Sequence, residues 1–235
     1  MNLFYSPNLQ SNNVLPEEES AHAIKVLRLK SGDEIEIIDG QGLFCKAKIT
    51  LAHPKHCEFQ VVEKIINKKL RNNNLHIAIA PTKNIDRFEW FVEKATEIGI
   101  DKITPLLCRF SERKTLRLER LEKIIVAACK QSQQFYFPKI EELTNFEFFL
   151  QQTGNNKKLQ KFIAHCYQAE KPLLKNVCLP AKDTLILIGA EGDFSSEEVA
   201  LAQKYGYIAV SLGGSRLRTE TAGVIACATF ELINQ

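Results

Sequence analysis

The sequence predicts an α/β chain in two parts: a small N-terminal β-barrel over residues 1–72, then a domain over 73–235 built on a parallel sheet. Three observations predict it. Up to about Asn74, polar and apolar residues alternate between tight turns, as half-buried strands do. Beyond that point, short continuous apolar runs are separated by helical stretches, as in strands buried on both faces. Between the two, Lys64 to Asn74 is polar and basic and ends in consecutive asparagines, the composition of a linker.

In the first part, Glu34 to Ile38 alternates, Asp39-Gly40-Gln41-Gly42 is turn chemistry, and Leu43 to Ile49 returns as a second strand, which makes a hairpin. Cys57 to Ile66 is a further strand, and short strands joined by tight turns favour a barrel. In the second part, strands are expected at Leu75 to Ala80, Ile103 to Leu107, Phe162 to Cys166, Leu185 to Ile188 and Ile208 to Leu212. Ile85, Phe88, Val92 and Ala95 share one helical face, and Gly99 is a natural stop. Ser195 to Glu198 reads as a capping box opening another helix. The last helix runs from about Thr219 to Ile233. Ala222, Gly223, Ala226 and Ala228 make it rich in small residues and suited to close packing.

Composition narrows the class. The chain is 45% hydrophobic and 25% charged, which is ordinary for a globular protein. No apolar run is long enough to span a bilayer, and Met1 to Tyr5 lacks the basic start of a secretion signal. Seven cysteines without a Cys-x-x-Cys pair argue against a disulfide framework and for reduced thiols in a cytoplasm. His53, His56 and Cys57 crowd around Pro54, but a metal would need a fourth ligand and none is near; no metal is expected. The net charge of +3 neither requires nor excludes nucleic acid. Basic residues do gather at Arg109, Arg113, Lys114, Arg117, Arg120 and Lys123, which suits either a solvated helix or an RNA-facing surface.

Chemistry concentrates in two loops, each at the end of a strong strand. Gly189-Ala190-Glu191-Gly192-Asp193 permits close approach of a ligand just before a helix N-terminus. Gly213-Gly214-Ser215-Arg216-Leu217-Arg218-Thr219-Glu220 combines two arginines and a glutamate with a glycine turn. That supports charge stabilisation and acid–base chemistry, and it also serves as a helix cap. No Gly-x-Gly-x-x-Gly or Walker loop is present, so a dinucleotide or nucleotide-phosphate enzyme is unsupported.

The ordered set His22 to Arg28, Lys83 with Trp90 to Gly99, Arg109 to Arg113, Gln131-Ser132, Ile188 to Gly192, and Leu212-Gly213 with Leu217 to Ala222 resembles the ribosomal RNA small-subunit methyltransferase E family. These are SPOUT-class enzymes that form 3-methyluridine in 16S ribosomal RNA. The resemblance covers nearly the whole chain. It implies a PUA-like N-terminal barrel, a C-terminal domain with a deep trefoil knot, and a homodimer. It also implies S-adenosylmethionine held by Leu187, Ile188, Gly189 and Gly192 and closed over by Leu212, Gly213 and Leu217, with His165 near the same site. Arg218 is then expected as electrostatic stabiliser, with Glu220 or Glu191 orienting the base or accepting the N3 proton. RNA contacts are expected from His22, Lys25 and Arg28, which fall at helical spacing, and from Lys83, Arg109, Arg113 and Lys114. Ala190, Asp193, Gly214 to Arg216 and Lys130 depart from the commoner family pattern. Competing readings are a SPOUT enzyme with another RNA target, a non-catalytic RNA-binding protein of the same fold, and a metabolic α/β enzyme.

Overall fold

The computed structural model describes residues 2–69, 71–167 and 170–235. Two compact units divide them. One holds the residues up to Lys69 together with 129–137, and the other holds Arg71 to Ala128 and everything from Pro138 on.

The first unit contains β1 (Leu3–Tyr5), α1 (Glu17–Ala21), a wide π-helical turn (His22–Val26), β2 (Glu34–Ile38), β3 (Leu43–Leu51) and β4 (Glu58–Ile66). The strands pair in that order; β1 is parallel to β2, and β2-β3-β4 are antiparallel. The expected hairpin is β2-β3. Its turn is closed by the Asp39 carboxylate, which accepts from the amides of Gln41 (2.7 Å) and Leu43 (3.0 Å). Alternation buries Ile35, Ile37, Cys45, Ala47, Ile49 and Phe59 against Phe4, Leu9 and Leu15. Two register shifts between β3 and β4 mark irregularities that strengthen local twist. Strand β4 runs to Ile66, so the linker is shorter than its composition suggests.

One helical expectation fails. α1 ends at Ala21, and the backbone widens so that the Leu27 amide reaches back to the His22 carbonyl (3.0 Å). Arg28 then turns left-handed (φ 57°), outside the helix, so it does not continue the face of His22 and Lys25.

Residues 129–137 complete this unit. Phe135 meets the Phe44 ring edge-on (5.7 Å between centroids), Phe137 packs on Tyr5 (4.8 Å), and the Tyr136 hydroxyl donates to the Asn67 carbonyl (3.0 Å). The hairpin glycines make room: a Cβ at Gly40 would lie 2.9 Å from the Phe137 ring, and one at Gly42 only 2.4 Å from the Tyr136 hydroxyl oxygen. Lys130 donates to both carboxylate oxygens of Glu19 (2.8 and 2.9 Å) and lies over the Phe4 ring. The base at position 130 thus has an acidic partner built for it.

The second unit contains β5 (Leu75–Ile79), α2 (Ile85–Ile98), β6 (Lys102–Leu107), α3 (Leu118–Ser132, whose last turn counts with the first unit), β7 (Lys139–Ile140), β8 (Thr144–Asn145) and α4 (Phe146–Gly154). After these come β9 (Gln160–Ala164), α5 (Leu174–Val177), β10 (Thr184–Ile188), α6 (Ser196–Lys204), β11 (Ile208–Val210) and α7 (Thr219–Asn234). The order is β11-β9-β10-β5-β6-β7, with β8 on β6, and every pair is parallel. All five residues of β10 are buried at the centre. Leu106, Phe146, Phe149, Ile163, Leu187 and Phe194 form a core on one side of the sheet. α7 packs on α2 and β5 so closely that a Cβ at Gly223 would lie 2.5 Å from the Phe91 ring. Gly99 is the left-handed stop of α2 (φ 107°), and Ser195 with Glu198 forms the expected capping box. Two strands end early: β9 stops at Ala164 and β11 at Val210, so His165, Cys166, Ser211 and Leu212 begin loops.

Arg71 fastens the start of this unit to its end. Its guanidinium pairs with Asp101 (2.5 Å) and Glu231 (3.1 Å), donates to the carbonyls of Asn73 and Gly99, and lies over the Phe230 ring.

His76 carries a pH dependence. Its ring lies edge-on to Phe149, and Nε2 is 2.8 Å from the Thr104 hydroxyl. Burial, helped by the nearby Lys102 charge, pushes it down to about 3 from an ordinary 6.5. The folded state therefore holds it neutral while the unfolded chain protonates below 6.5. The stability it supports is whole above that pH and is lost as pH falls towards 3, reaching about 2 kcal/mol by pH 5. Urea unfolding of wild type and His76→Phe at pH 7 and pH 5 checks this. Equal pH slopes for the two proteins would remove His76 as the cause.

Candidate active site

Because the sheet is parallel, the C-terminal ends of β11, β9, β10 and β5 lie along one edge, where open α/β sheets bind ligands. β10 delivers Gly189 there. A Cβ at this position would lie 2.9 Å from the Asp193 carbonyl carbon and 3.0 Å from the Phe194 nitrogen, so the loop can fold back this tightly only over glycine. The turn closes with the Asp193 amide on the Ala190 carbonyl (2.9 Å). Asp193 is left-handed (φ 68°), a conformation that glycine adopts most readily. Its carboxylate compensates by accepting from the amides of Cys166 (2.7 Å) and Phe194 (2.8 Å).

The second loop meets the first. The Thr219 hydroxyl donates to the Gly189 carbonyl (3.1 Å), and Gly213 takes a positive φ of 150°. Arg218 is the N-cap of α7, with extended backbone and an exposed side chain at the cleft.

Two adjoining hollows lie between these loops. The first, about 360 Å³, is lined by Arg87, Ile188, Gly189, Glu191, Asp193, Arg218 and Thr219 among others. The second, about 290 Å³, is lined by His165, Lys171 and residues from Val210 to Leu217. They share Ala164, Cys166, Arg216, Leu217 and Ala222. Lys171 bonds the carbonyls of His165 and Tyr167 (both 2.7 Å) and lies 3.2 Å from His165 Nδ1. Burial and then the Lys171 charge depress the His165 imidazole below its ordinary value, which keeps it neutral at neutral pH.

Of the residues singled out from sequence, Ile188, Gly189, Glu191, Leu212, Gly213, Leu217, Arg218 and His165 line the two hollows. Leu187 lies in the core with its side chain fully buried, and Gly192 packs against Phe110. Glu191 is exposed, and its Oε1 accepts from the Lys83 amide (2.8 Å). Glu220 is buried in the first turn of α7. Arg87, Cys166, Asp193 and Lys171 were not marked as site residues. Asp193 belongs to the first glycine loop, but Arg87 comes from α2 and Cys166 and Lys171 from the loop after β9, and no local pattern links these to the glycine loops. Only the departure at Asp193 carried a hint.

The basic candidates form a separate group. Arg113 donates to the carbonyls of Thr82 (3.1 Å) and Lys83 (2.7 Å), Lys83 pairs with Glu112 (2.7 Å), and Arg109 pairs with Glu197 (3.2 Å) and flanks Phe110. Lys114 and Arg109 line a third groove of about 770 Å³ between the end of β6 and α6. In the first unit, His22 meets Phe4 edge-on (6.3 Å). His53 and His56 stack ring on ring beside the buried Cys57, and among the described residues no group of three or more His, Cys, Asp or Glu could hold a metal ion. No helix among the described residues is long and apolar enough to cross a membrane.

Comparison with known proteins agrees with this architecture. Residues 68–231 match a family described as an RNA methyltransferase domain, and 15–62 one described as an RNA methyltransferase PUA domain. The chain is 32% identical to a ribosomal RNA small subunit methyltransferase E of Buchnera aphidicola subsp. Acyrthosiphon pisum, over 92% of this chain and 86% of the relative. It is 29% identical to the Rickettsia conorii protein of the same description, over 93% and 89%. A crystal structure of a probable rRNA-methyltransferase from Porphyromonas gingivalis superposes with a TM-score of 0.93 at 37% identity, covering 100% of this chain and 98% of that one. A small subunit methyltransferase E from Neisseria gonorrhoeae, bound to S-adenosyl methionine, shares the fold with a TM-score of 0.85 at 24% identity, over 100% and 98%.

Proposed function

The chain belongs to the ribosomal RNA small subunit methyltransferase E family, and from that premise we propose that it methylates N3 of a uridine in 16S ribosomal RNA with S-adenosylmethionine as donor. One observation carries the reading: two glycine loops, at the ends of β10 and β11 on either side of β9, enclose a cleft that joins apolar walls to arginines, with the buried Glu220 carboxylate next to its lining residue Thr219.

The cleft suits the cofactor. Its two hollows fall in the size range of small-molecule sites, with Ile188, Leu212 and Leu217 as apolar wall and backbone groups freed at Gly189 and Gly213. When bound there, S-adenosylmethionine supplies an electrophilic methyl group on a sulfonium. The protein has the rest to do. A uridine N3 carries a proton and is a poor nucleophile until that proton leaves. Arg218, at the cleft, stabilises the negative charge that then spreads onto the neighbouring carbonyl oxygens. Glu220 receives the proton; Glu191 is the weaker choice because one of its oxygens is committed to the Lys83 amide.

The target uridine is unpaired or unstacked, since pairing occupies N3. Residues 1–72 act as the RNA-docking module, with His22, Lys25 and Arg28 as contacts, and residues 73–235 as the catalytic domain. Lys83, Arg109, Arg113 and Lys114 form the second set of phosphate contacts, with Arg113 also tied to its own backbone. The left-handed backbone at Arg28 supports a functional role, because strain of this kind concentrates at binding sites. A trefoil knot and a homodimer complete the proposal. The knot is supported by the out-of-sequence order β11-β9-β10, and the dimer by the exposed apolar side chains of Trp90, Ile225 and Leu232.

The test is methyl transfer from labelled S-adenosylmethionine to small ribosomal subunits from a strain lacking this protein, followed by nucleoside mass analysis. The expected product is 3-methyluridine. Label on another nucleoside overturns the position while leaving the methyl-transfer activity, and no label overturns the activity itself.

A further inference from the structure

Two carboxylates, Glu191 and Asp193, line the first hollow, and a third, Glu220, is buried behind it next to the lining residues Thr219 and Arg87; their oxygens are differently employed. Both Asp193 oxygens accept backbone amides, and Glu191 accepts the Lys83 amide at the surface. Glu220 is only 7% exposed, and its Oε2 is fully buried without a hydrogen-bond partner. A buried carboxylate oxygen left bare is costly, so its persistence points to a donor that arrives with a ligand. The cation nearest the other oxygen is Arg87, whose Nε lies 4.0 Å from Glu220 Oε1. That distance is too long for a hydrogen bond but close enough for the charges to attract. Arg87 sits in the first turn of α2, where the Asn84 cap fixes the helix start, and it also lines the hollow.

We propose that Arg87 is a positioning residue for the reaction, holding the Oε1 side of Glu220 so that the bare Oε2 faces the N–H of the target base. This rests on the methyl-transfer reading above. Glu220 takes the N3 proton, becomes a neutral carboxylic acid, and returns the proton to water after the product leaves. Arg87 balances the carboxylate charge until then.

The test is a double-mutant cycle of Arg87→Ala and Glu220→Gln in the full chain, with two kinds of readout. In turnover, each single change lowers kcat about a hundredfold, while KM for RNA and cofactor Kd stay within about threefold, and the double variant is no slower than the worse single one. Arg87→Lys or added millimolar guanidinium restores part of the Arg87→Ala loss, which a purely structural defect would not allow. In melting, followed by Trp90 fluorescence without cofactor or RNA, Arg87→Ala lowers Tm by about 3 °C because it strands a buried charge, and adding Glu220→Gln recovers the loss. Multiplying losses in kcat, an unaffected Arg87→Ala enzyme, or no recovery of Tm would each overturn the pairing. A wild-type protein that transfers no methyl group would instead overturn the activity, and the melting cycle would still decide whether the two side chains act together.

Discussion

Arg218→Ala lowers kcat by about a hundred- to a thousandfold, the usual loss when one group aimed at developing charge is removed. The reason is its position. Arg218 is at the junction of the two glycine loops, and its side chain makes no capping bond that its removal would break. The backbone carbonyl that starts α7, by accepting from the Ala222 amide (2.8 Å), is unaffected by the substitution. Folding therefore survives, and Tm moves by no more than about 2 °C, as for an exposed side chain without structural partners. Cofactor affinity, measured by calorimetry, also changes little, because charge develops on the base and not on the cofactor's apolar contacts. Near-normal turnover would remove Arg218 from catalysis. A matched loss of cofactor affinity would reassign it to binding.

Arg71→Ala destabilises the second unit by about 3–5 kcal/mol, the range for breaking a buried ion pair from one side. Its side chain is 11% exposed, and its removal strands Asp101 at 12% and Glu231 at 25%. Asp101 keeps the Leu75 amide (2.8 Å), but the carbonyls of Asn73 and Gly99 lose their donor. Trp90 is the chain's one tryptophan and lies in α2, so its fluorescence reports this unit. At about 2–4 °C per kcal/mol the expected drop in Tm is at least 6 °C. Arg71→Met fares no better, because Asp101 and Glu231 still lose the guanidinium charge. A drop under about 2 °C would mean that solvent already shares these charges.

The sequence made the large regular features readable because each rests on a local pattern. β10 is a continuous apolar run, β2 and β3 alternate around an Asp-Gly turn, and the Ser195 cap and the Gly99 stop announce themselves by residue type. The short elements β1, β7 and β8 were not readable, since two or three residues take strand form only beside a partner distant in sequence. The π turn after α1 likewise hides behind an ordinary helical spacing of His22, Lys25 and Arg28. At the candidate site, the glycine loops were legible because few other residues permit such turns. The neighbourhood of Arg87 and Glu220 was not, because 133 positions separate them along the chain and only packing of α7 on α2 brings them near. The unpaired state of Glu220 Oε2 is a property of that packing and has no signature in residue type.

The aromatic segment Phe135 to Phe137 has a bearing on how the protein is made. The first unit's hairpin keeps Gly40 and Gly42 bare for rings that lie more than ninety residues further along the chain. While a nascent chain is short of that segment, the cavity over those glycines is unfilled and Phe44 lacks its neighbour. The N-terminal unit therefore reaches its final packing only after much of the second unit has left the ribosome, although its own strands come first. Its maturation is timed by translation of residues 129–137, and a fragment cut at the linker would carry an unfinished surface.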